Sequence, residues 1–150
     1  MSTATDIYKL FGMGRNKEVF PHIRKDYTER MLNKNKIIKY TIDEKVVGVI
    51  IWDQYRRSDK RQVGNKFDIQ LKQIVVDPSY QHHGIGKFLF KTLETMAVDL
   101  KAPSICLSVR ESNIVARDFY IKMGMSITRS ITWIEKGNPL AGLVYQKKII

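Results

Sequence analysis

The longest regular pattern of apolar residues follows Gly84. Its apolar positions are Ile85, Phe88, Leu89, Leu93, Met96, Ala97 and Leu100. Because these positions recur every three to four residues, they form one stripe along an α-helix, and such a stripe suits packing on a sheet. The pattern therefore predicts an amphipathic helix that begins at about Gly84.

An earlier segment, from Ile7 to about Asn35, also has helical spacing. Four of its apolar or aromatic residues lie three or four positions apart. They are Phe20, Ile23, Tyr27 and Met31. This spacing predicts an amphipathic helix despite Pro21 near its start.

A third helix is predicted from the segment ESNIVARDFYIKMG, residues 111–124. Ser112 or Asn113 is a suitable N-cap, and Gly124 is a suitable C-terminal stop. The expected apolar face of this helix consists of Ile114, Val115 and Phe119.

Two β-rich runs surround a short polar turn. They are KIIKYTI at 36–42 and KVVGVIIW at 45–52, with DEK at 43–45. Such a pair predicts a β-hairpin. The polar and basic segment at 53–66 then predicts an exposed loop.

The segment FDIQLKQIVVDP, residues 67–78, predicts a third strand with an irregularity. Apolar and polar residues alternate as far as Leu71, but Gln73 occupies a position where an apolar residue is due. Ile74 and Val76 resume the alternation one position late. Two interpretations remain open: a β-bulge that frees backbone N–H groups, or a strand end that is buried on both faces.

Three further strands complete the predicted fold. They are SICLSV at 104–109, MSITRSITWIE at 125–135 and LAGLVYQKKI at 140–149. If the helix after Gly84 is a crossover, strand 104–109 lies parallel to the strand that begins at 67. We predict a mixed α/β fold with a central βαβ unit, in a single domain over residues 1–150.

Composition narrows the class of protein. The apolar share of 43% is typical of a globular chain, and no apolar run is long enough to cross a membrane. Cys106 is the only cysteine, and the three histidines lack zinc-ligand spacing, so we expect a reducing cytoplasmic compartment and no metal. The net charge of +11 has four possible explanations: binding of a nucleic acid, of a polyanionic cofactor or of an acidic substrate, or simple solubility.

The segment SYQHHGIGK, residues 79–87, is the clearest candidate for a binding site. The first N–H groups of a helix have no partner within it and lie at the positive end of its dipole, so they suit an anion. Gly84 and Gly86 lack the β-carbons that would hold a phosphate away. The alternative is a tight strand-to-helix turn, since the spacing fits neither the Walker loop nor G-x-G-x-x-G. His82 and His83 are adjacent, which favours surface residues over metal ligands.

Two motifs resemble those of the GCN5-related N-acetyltransferases. IVVDPSYQHHGIGKFLFKTL, at 74–93, is similar to the acyl-CoA signature of that family, a strand followed by Gln/Arg-x-x-Gly-x-Gly/Ala and a helix. NIVARDFYIKMGM, at 113–125, resembles the second motif of the family at Asn113, Ala116, Phe119, Tyr120 and Gly124. The two motifs cover about residues 67–125, and the first third of the chain matches no pattern of the family.

The resemblance implies a central mixed, mostly antiparallel sheet with a splayed parallel strand pair and flanking helices. It also implies acetyl-CoA (coenzyme A) as co-substrate, with pantetheine along the strand end and the pyrophosphate on the amides of residues 82–87. One strand N–H would polarise the thioester carbonyl. The implied cofactor-binding residues are Ile74, Val75, Val76, Gln81, His82, His83, Gly84, Ile85, Gly86, Lys87, Asn113 and Tyr120.

Catalytic roles follow from the same resemblance. Tyr120 would protonate the departing thiolate, with a core aromatic residue as the alternative, and a helix cap is the alternative for Asn113. Many relatives carry a glutamate as base on the third strand, where this chain has Gln70 and Lys72. Asp68 or Glu111 are substitutes, acting directly or through a water.

We therefore predict an acyl-CoA-dependent N-acetyltransferase whose acceptor is the primary amine of a small molecule or peptide, with a homodimer left open. An anionic acceptor would be recruited by Arg56, Arg57, Lys60 and Arg61, although a solvated loop is the favoured interpretation of this segment. Two other classes remain: a non-catalytic acyl-CoA-binding module, suggested by the missing glutamate, and a basic nucleic-acid-binding domain, suggested by the charge.

Overall fold

The structure is a computed structural model that describes residues 3–54 and 64–149. The helices are α1 (Ala4–Phe11), α2 (Asn16–Val19), α3 (Lys25–Asn33), α4 (Ile85–Asp99) and α5 (Ile114–Lys122). The strands are β1 (Ile37–Ile42), β2 (Lys45–Gln54), β3 (Ile69–Val76), β4 (Ser104–Arg110), β5 (Ser126–Glu135) and β6 (Asn138–Lys148). No helix in the described ranges is long and apolar enough to cross a membrane. The predicted acceptor-recruiting residues Arg56, Arg57, Lys60 and Arg61 lie outside the described residues.

These strands form one mostly antiparallel sheet in the order β1, β2, β3, β4, β6, β5. The parallel pair is β3 with β4, and its ladder joins Ile69 to Ile105 and Gln70 to Cys106. β6 lies between β4 and β5 and pairs antiparallel with both. The predicted fold class and the parallel arrangement of β3 and β4 are confirmed.

The chain divides into two compact units, Met1–Trp52 with Lys72–Leu93 and Asp53–Leu71 with Glu94–Ile150. β3 and α4 each contribute residues to both units. The first unit has a core of buried apolar residues from its helices and strands. They are Ile7, Leu10, Phe11, Ile23, Met31, Val46, Val49, Ile51 and Val75. In the second unit, the facing strands β4 and β6 bury Ile105, Leu107, Val144 and Tyr145.

The hairpin of β1 and β2 is confirmed, and its turn explains why it forms. Asp43 and Glu44 have φ angles of 48° and 65°. Two consecutive residues with positive φ are the backbone of a type I′ turn, whose twist matches that of the flanking strands. The strands then pair from Ile42 with Lys45 outward.

The single helix expected between Ile7 and Asn35 is wrong, because α1, α2 and α3 occupy this segment. Phe20 follows the end of α2, and its ring packs edge-on against Phe11 with the centroids 5.3 Å apart. Pro21 has no N–H for a helix and restricts the residue before it, which explains the break.

The predicted apolar faces of α4 and α5 are only partly correct. On α4, Ile85, Leu89 and Leu93 are buried, but Phe88 is 58% exposed and contacts the ring of Tyr40 edge-on. On α5, Ile114 and Val115 are exposed at 55% and 64%. The buried residue of α5 is Tyr120.

Strand β3 starts two residues later than predicted, and its first three residues, Ile69, Gln70 and Leu71, are all buried. Phe67 is 54% exposed, whereas Ile69, Leu71 and Val75 are buried at every second or fourth position. Gln73 shares this parity and is half-buried, and its Oε1 accepts a hydrogen bond from the Tyr27 hydroxyl at 2.8 Å. The apparent slip therefore arises because a hydrogen-bonded amide occupies a position where an apolar residue was expected.

Candidate functional site

The loop after β3 begins with a turn that is fixed by Asp77. Its Oδ1 accepts a hydrogen bond from the Ser79 N–H at 2.9 Å, and a one-turn 3₁₀-helix spans Pro78–Tyr80. The backbone N–H of Asp77 donates to the Val47 carbonyl on β2 at 2.7 Å. Lys45 Nζ lies 3.5 Å from Asp77 Oδ2. The start of the loop is thus attached to β2.

The end of β3 is held by two side-chain amides that meet at the carbonyl oxygen of Val76. Asn16 Nδ2 donates to this oxygen at 3.1 Å and to the Leu10 carbonyl at 2.8 Å. Gln81 Nε2 donates to the same Val76 oxygen, also at 3.1 Å. The first residue of the acyl-CoA motif thus fastens its own loop to the strand. The buried Asn16 was not a sequence candidate, because a single Asn in a helical segment carries no motif.

The loop becomes a helix through two residues in the left-handed region. His82 has a φ of 66° and Gly84 of 80°, and both are exposed. The Gly84 carbonyl accepts the Phe88 N–H at 3.0 Å, so α4 begins at Ile85, one residue after the predicted start. A β-carbon on Gly84 would have no atom within 4 Å. The space beside the Gly84 α-carbon is therefore open, and the first N–H groups of a helix, at the positive end of its dipole, suit an anion.

In the second unit, Tyr120 lies in the second half of α5 and is 7% exposed. Its ring centroid is 5.6 Å from that of Phe119 and 5.9 Å from that of Tyr145. Burial raises the pKa of the Tyr120 phenol well above its usual value, because the charged form would lose its hydration. The hydroxyl is therefore protonated throughout the neutral range.

Asn113, one of the two residues predicted as a cap, is the N-cap of α5. Its Oδ1 accepts the Ala116 N–H at 3.2 Å. This contact satisfies one of the N–H groups at the start of the helix.

The two candidate bases differ sharply in exposure. Asp68 is 1% exposed, and its Oδ2 accepts from the Asn65 N–H at 2.6 Å and from Cys106 Sγ at 3.5 Å. Asp68 Oδ1 is buried without a hydrogen-bond partner among the described residues. Gly64 packs closely on this pair, since a β-carbon there would lie 2.6 Å from Cys106 Sγ. Asp68 is thus a buried anchor at the start of β3.

Glu111 is exposed on the loop between β4 and α5. Its N–H donates to the Ala141 carbonyl at 3.0 Å, and its carbonyl accepts from Arg117 Nη1 at 2.8 Å. A surface depression of about 550 Å³ lies here. It is lined by Arg110, Glu111, Ser112, Ile114, Arg117, Pro139, Leu140 and Ala141.

The sequence from residue 4 to residue 125 matches the model of the Acetyltransferase (GNAT) family. The match includes the first third of the chain, so the expectation that this part has no family pattern is wrong. The chain belongs to this family. A search among curated proteins found no match.

Solved structures similar to this GNAT chain include Ard1 of Thermoplasma volcanium, with 18% identity and a TM-score of 0.79 over 99% of this chain and 95% of that one. The ribosomal-protein-alanine N-acetyltransferase of Brucella melitensis is 16% identical, with a TM-score of 0.73 over 98% and 96% of the two chains. yncA of Salmonella typhimurium, solved with its cofactor acetyl-CoA, is 13% identical, with a TM-score of 0.75 over 99% and 91%. At these identities the likeness establishes the fold.

The predicted site residues of this GNAT chain fall into two groups. The strand end at 74–76 and the junction at 81–87 belong to the first compact unit, where Gln81 joins them. Asp68, Glu111, Asn113 and Tyr120 belong to the second. Within the described ranges, no group of three or more His, Cys, Asp or Glu residues is arranged to hold a metal ion.

Proposed function

We propose that this GNAT chain is an N-acetyltransferase that transfers the acetyl group of acetyl-CoA to a primary amine by direct attack, as one domain over residues 1–150. The observation that carries the proposal is the junction at 81–85. There, exposed backbone in the left-handed region opens onto the first turn of a helix. Backbone N–H groups at a helix start suit the pyrophosphate of coenzyme A.

The residues of the junction fit this cofactor in three respects. Gly84 leaves open space at its α-carbon, and Gly86 adds no side chain in the first turn of α4. Lys87 is exposed and supplies a positive charge for a phosphate. The acetyl-CoA bound by yncA of Salmonella typhimurium, a protein of similar fold, supports the same ligand.

The proposed chemistry needs one proton acceptor and one proton donor. The amine nitrogen attacks the acetyl carbonyl, a C–N bond forms, and the C–S bond of the thioester breaks. The attacking nitrogen loses a proton to the base, and the sulfur of the leaving group gains one. We assign the donor to Tyr120, because it matches the tyrosine of the second family motif and its phenol carries a proton at neutral pH.

Of the two candidate bases, Glu111 is the better supported. Its residue is exposed beside a depression in which an amine has room, whereas both oxygens of Asp68 are buried and one already accepts two hydrogen bonds. A carboxylate that acts as base must reach its substrate directly or through one water. We therefore assign the base to Glu111 and a structural role to Asp68.

The acceptor is a small-molecule or peptide amine, and peptides with a free α-amino group are the first class to test. Similar folds include ribosomal-protein-alanine N-acetyltransferases from Brucella melitensis and Escherichia coli. An anionic acceptor recruited by Arg56, Arg57, Lys60 and Arg61 stays a prediction from the sequence.

The test is product formation by the purified chain with acetyl-CoA. Separate panels of peptides, amino acids, polyamines and aminoglycosides serve as acceptors. The proposal expects an acetylated amine and free coenzyme A in a one-to-one ratio by mass spectrometry. Saturable acetyl-CoA binding without turnover in any panel would instead identify a binding module.

A nucleic-acid-binding domain would behave differently in a parallel titration. It would bind labelled DNA or RNA, and its affinity would fall by orders of magnitude, about 10³ or more, between 50 and 200 mM salt. Acetyl-CoA would not compete with the labelled strand.

A further inference from the structure

The buried ring of Tyr145 packs beside the ring of Tyr120. Tyr145 lies on β6 and pairs with Leu107 of β4 on one side and Ile127 of β5 on the other. Its side chain is 1% exposed, and its ring is tilted by 52° against that of Tyr120. Because β6 is paired on both sides, its backbone cannot shift without breaking two ladders.

Arg117 forms a hydrogen bond with the hydroxyl of Tyr145. The Arg117 Nε donates to the Tyr145 hydroxyl oxygen at 3.2 Å, and Nη1 of the same guanidinium donates to the Glu111 carbonyl at 2.8 Å. A planar guanidinium with two engaged donors allows one orientation, which a lysine cannot reproduce. Arg117 lies three residues before Tyr120, so both side chains project from neighbouring turns of α5.

These contacts close a ring between α5 and β6. The Glu111 N–H donates to the Ala141 carbonyl on β6 at 3.0 Å, and its carbonyl accepts from Arg117. Arg117 then returns to β6 at Tyr145. Ala141 and Tyr145, four residues apart on β6, are thus linked through Glu111 and Arg117.

The other end of α5 is held separately. Lys147 Nζ donates to the Met123 carbonyl at 2.8 Å and pairs with Glu94 of α4 at the same distance. Loss of Arg117 would therefore leave the C-terminal end of the helix attached and would remove the hydrogen bond to the Tyr145 hydroxyl.

We propose that Arg117 and Tyr145 position Tyr120 for proton donation, an inference that rests on the acid role proposed for Tyr120. Arg117 sets the orientation of the Tyr145 ring, and this ring packs against Tyr120. The pair acts through Tyr120 and needs no contact with the reacting atoms.

A spectroscopic test needs no acceptor. Tyrosine labelled with ¹³C at Cζ reports the surroundings of each phenol, and the seven tyrosines can be assigned by Tyr→Phe variants. With saturating acetyl-CoA, Arg117→Lys and Tyr145→Phe should each shift or split the Tyr120 signal. Arg24→Lys is the matched control, because the exposed side chain of Arg24 pairs with the exposed Asp26, far from α5 in the sequence. A Tyr120 signal that stays unchanged in both variants would overturn the proposal.

Kinetics separate this inference from the role of Tyr120 itself. With acetyl-CoA and an alanine-initiated peptide, Arg117→Lys should lower kcat by about 10- to 100-fold and leave the KM for acetyl-CoA unchanged. In a Tyr120→Phe background it should cause no further loss. An equal loss in both backgrounds would contradict positioning through Tyr120. Wild-type kcat in Tyr120→Phe alone would instead remove the acid role, whatever the NMR result.

Discussion

Gly48 of β2 lies directly against Ile85, the first residue of α4. A β-carbon on Gly48 would be 3.0 Å from Ile85 Cγ2 and 3.2 Å from Leu89 Cδ1. A glycine at this position lets the first turn of the helix approach the strand closely. The position of the helix start therefore depends on a residue far from it in sequence.

We expect Gly48→Ala to destabilise the fold by about 1–3 kcal/mol, because the new methyl group overpacks the contact between β2 and α4. It should also weaken acetyl-CoA binding, since the first turn of α4 would have to move. Urea unfolding and calorimetric titration measure the two effects. Gly12→Ala is the control, because its β-carbon would meet its nearest atom at an ordinary 3.7 Å. Equal stability of the two variants would show that the contact can relax.

Acetyl-CoA should stabilise the wild-type fold by about 2.7 kcal/mol at a hundredfold excess over its dissociation constant. Gly84→Ala should lose most of this ligand-induced shift, because its methyl group enters the space proposed for the pyrophosphate. Gly137→Ala is a close control, since the two glycines have φ angles of 80° and 81° and both lie in open space. Both variants should lose similar stability without ligand, on the order of 1 kcal/mol. A full ligand-induced shift in Gly84→Ala would place the phosphates elsewhere.

Tyr120→Phe keeps the ring and removes only the hydroxyl. We expect kcat to fall by about 10²- to 10⁴-fold, the usual range for loss of a positioned proton donor. Acetyl-CoA affinity and melting temperature should stay close to wild type. Steady-state kinetics and thermal unfolding give both values. A fall in melting temperature at constant kcat would make the hydroxyl a structural group.

Stability should decrease in alkaline solution because of the buried thiol of Cys106. Burial, with Asp68 beside it, raises the pKa of this thiol from 9.0 to about 12. The unfolded chain then releases a proton that the folded chain retains, so stability is complete below about pH 8 and falls as pH rises toward 12. The slope should approach about 1.4 kcal/mol per pH unit. Urea unfolding between pH 7 and pH 10.5 tests this, and Cys106→Ala should flatten the slope whatever its stability at pH 7.

Local chemistry explains which elements could be read from the sequence. The turn at Asp43 and Glu44 joins two β-rich runs with too few residues for any other connection, so the hairpin was predictable. Asn113 and Gly124 mark the ends of α5 by capping rules that act within one turn.

Burial was less predictable because it depends on distant partners. Phe88 belongs to the apolar stripe of α4 by spacing, yet it lies exposed beside Tyr40. Gln73 interrupts an apolar pattern because Tyr27 supplies a hydrogen bond from a helix more than forty residues earlier. No periodicity in one segment contains information about such a partner.

The residues of the candidate site were likewise predictable only where they belong to a motif. Gly84 and Tyr120 stand in motifs, so their positions could be inferred from neighbouring residues alone. Asp68 and Glu111 looked equivalent in the sequence, and only the structure shows one buried against Cys106 and the other exposed. The role of Arg117 could not be predicted from the sequence, because its two hydrogen-bond acceptors lie outside α5.

The place of β6 between β4 and β5 also governs when the second unit can form during synthesis. β6 comprises Asn138–Lys148, and both of its neighbours precede it in the chain. Until these residues leave the ribosome, β4 and β5 lack the strand that joins them, and Arg117 lacks Tyr145. The second unit of a nascent chain should therefore stay incomplete until β6 emerges. A chain stalled before that point would expose unpaired strand edges to chaperones or to aggregation.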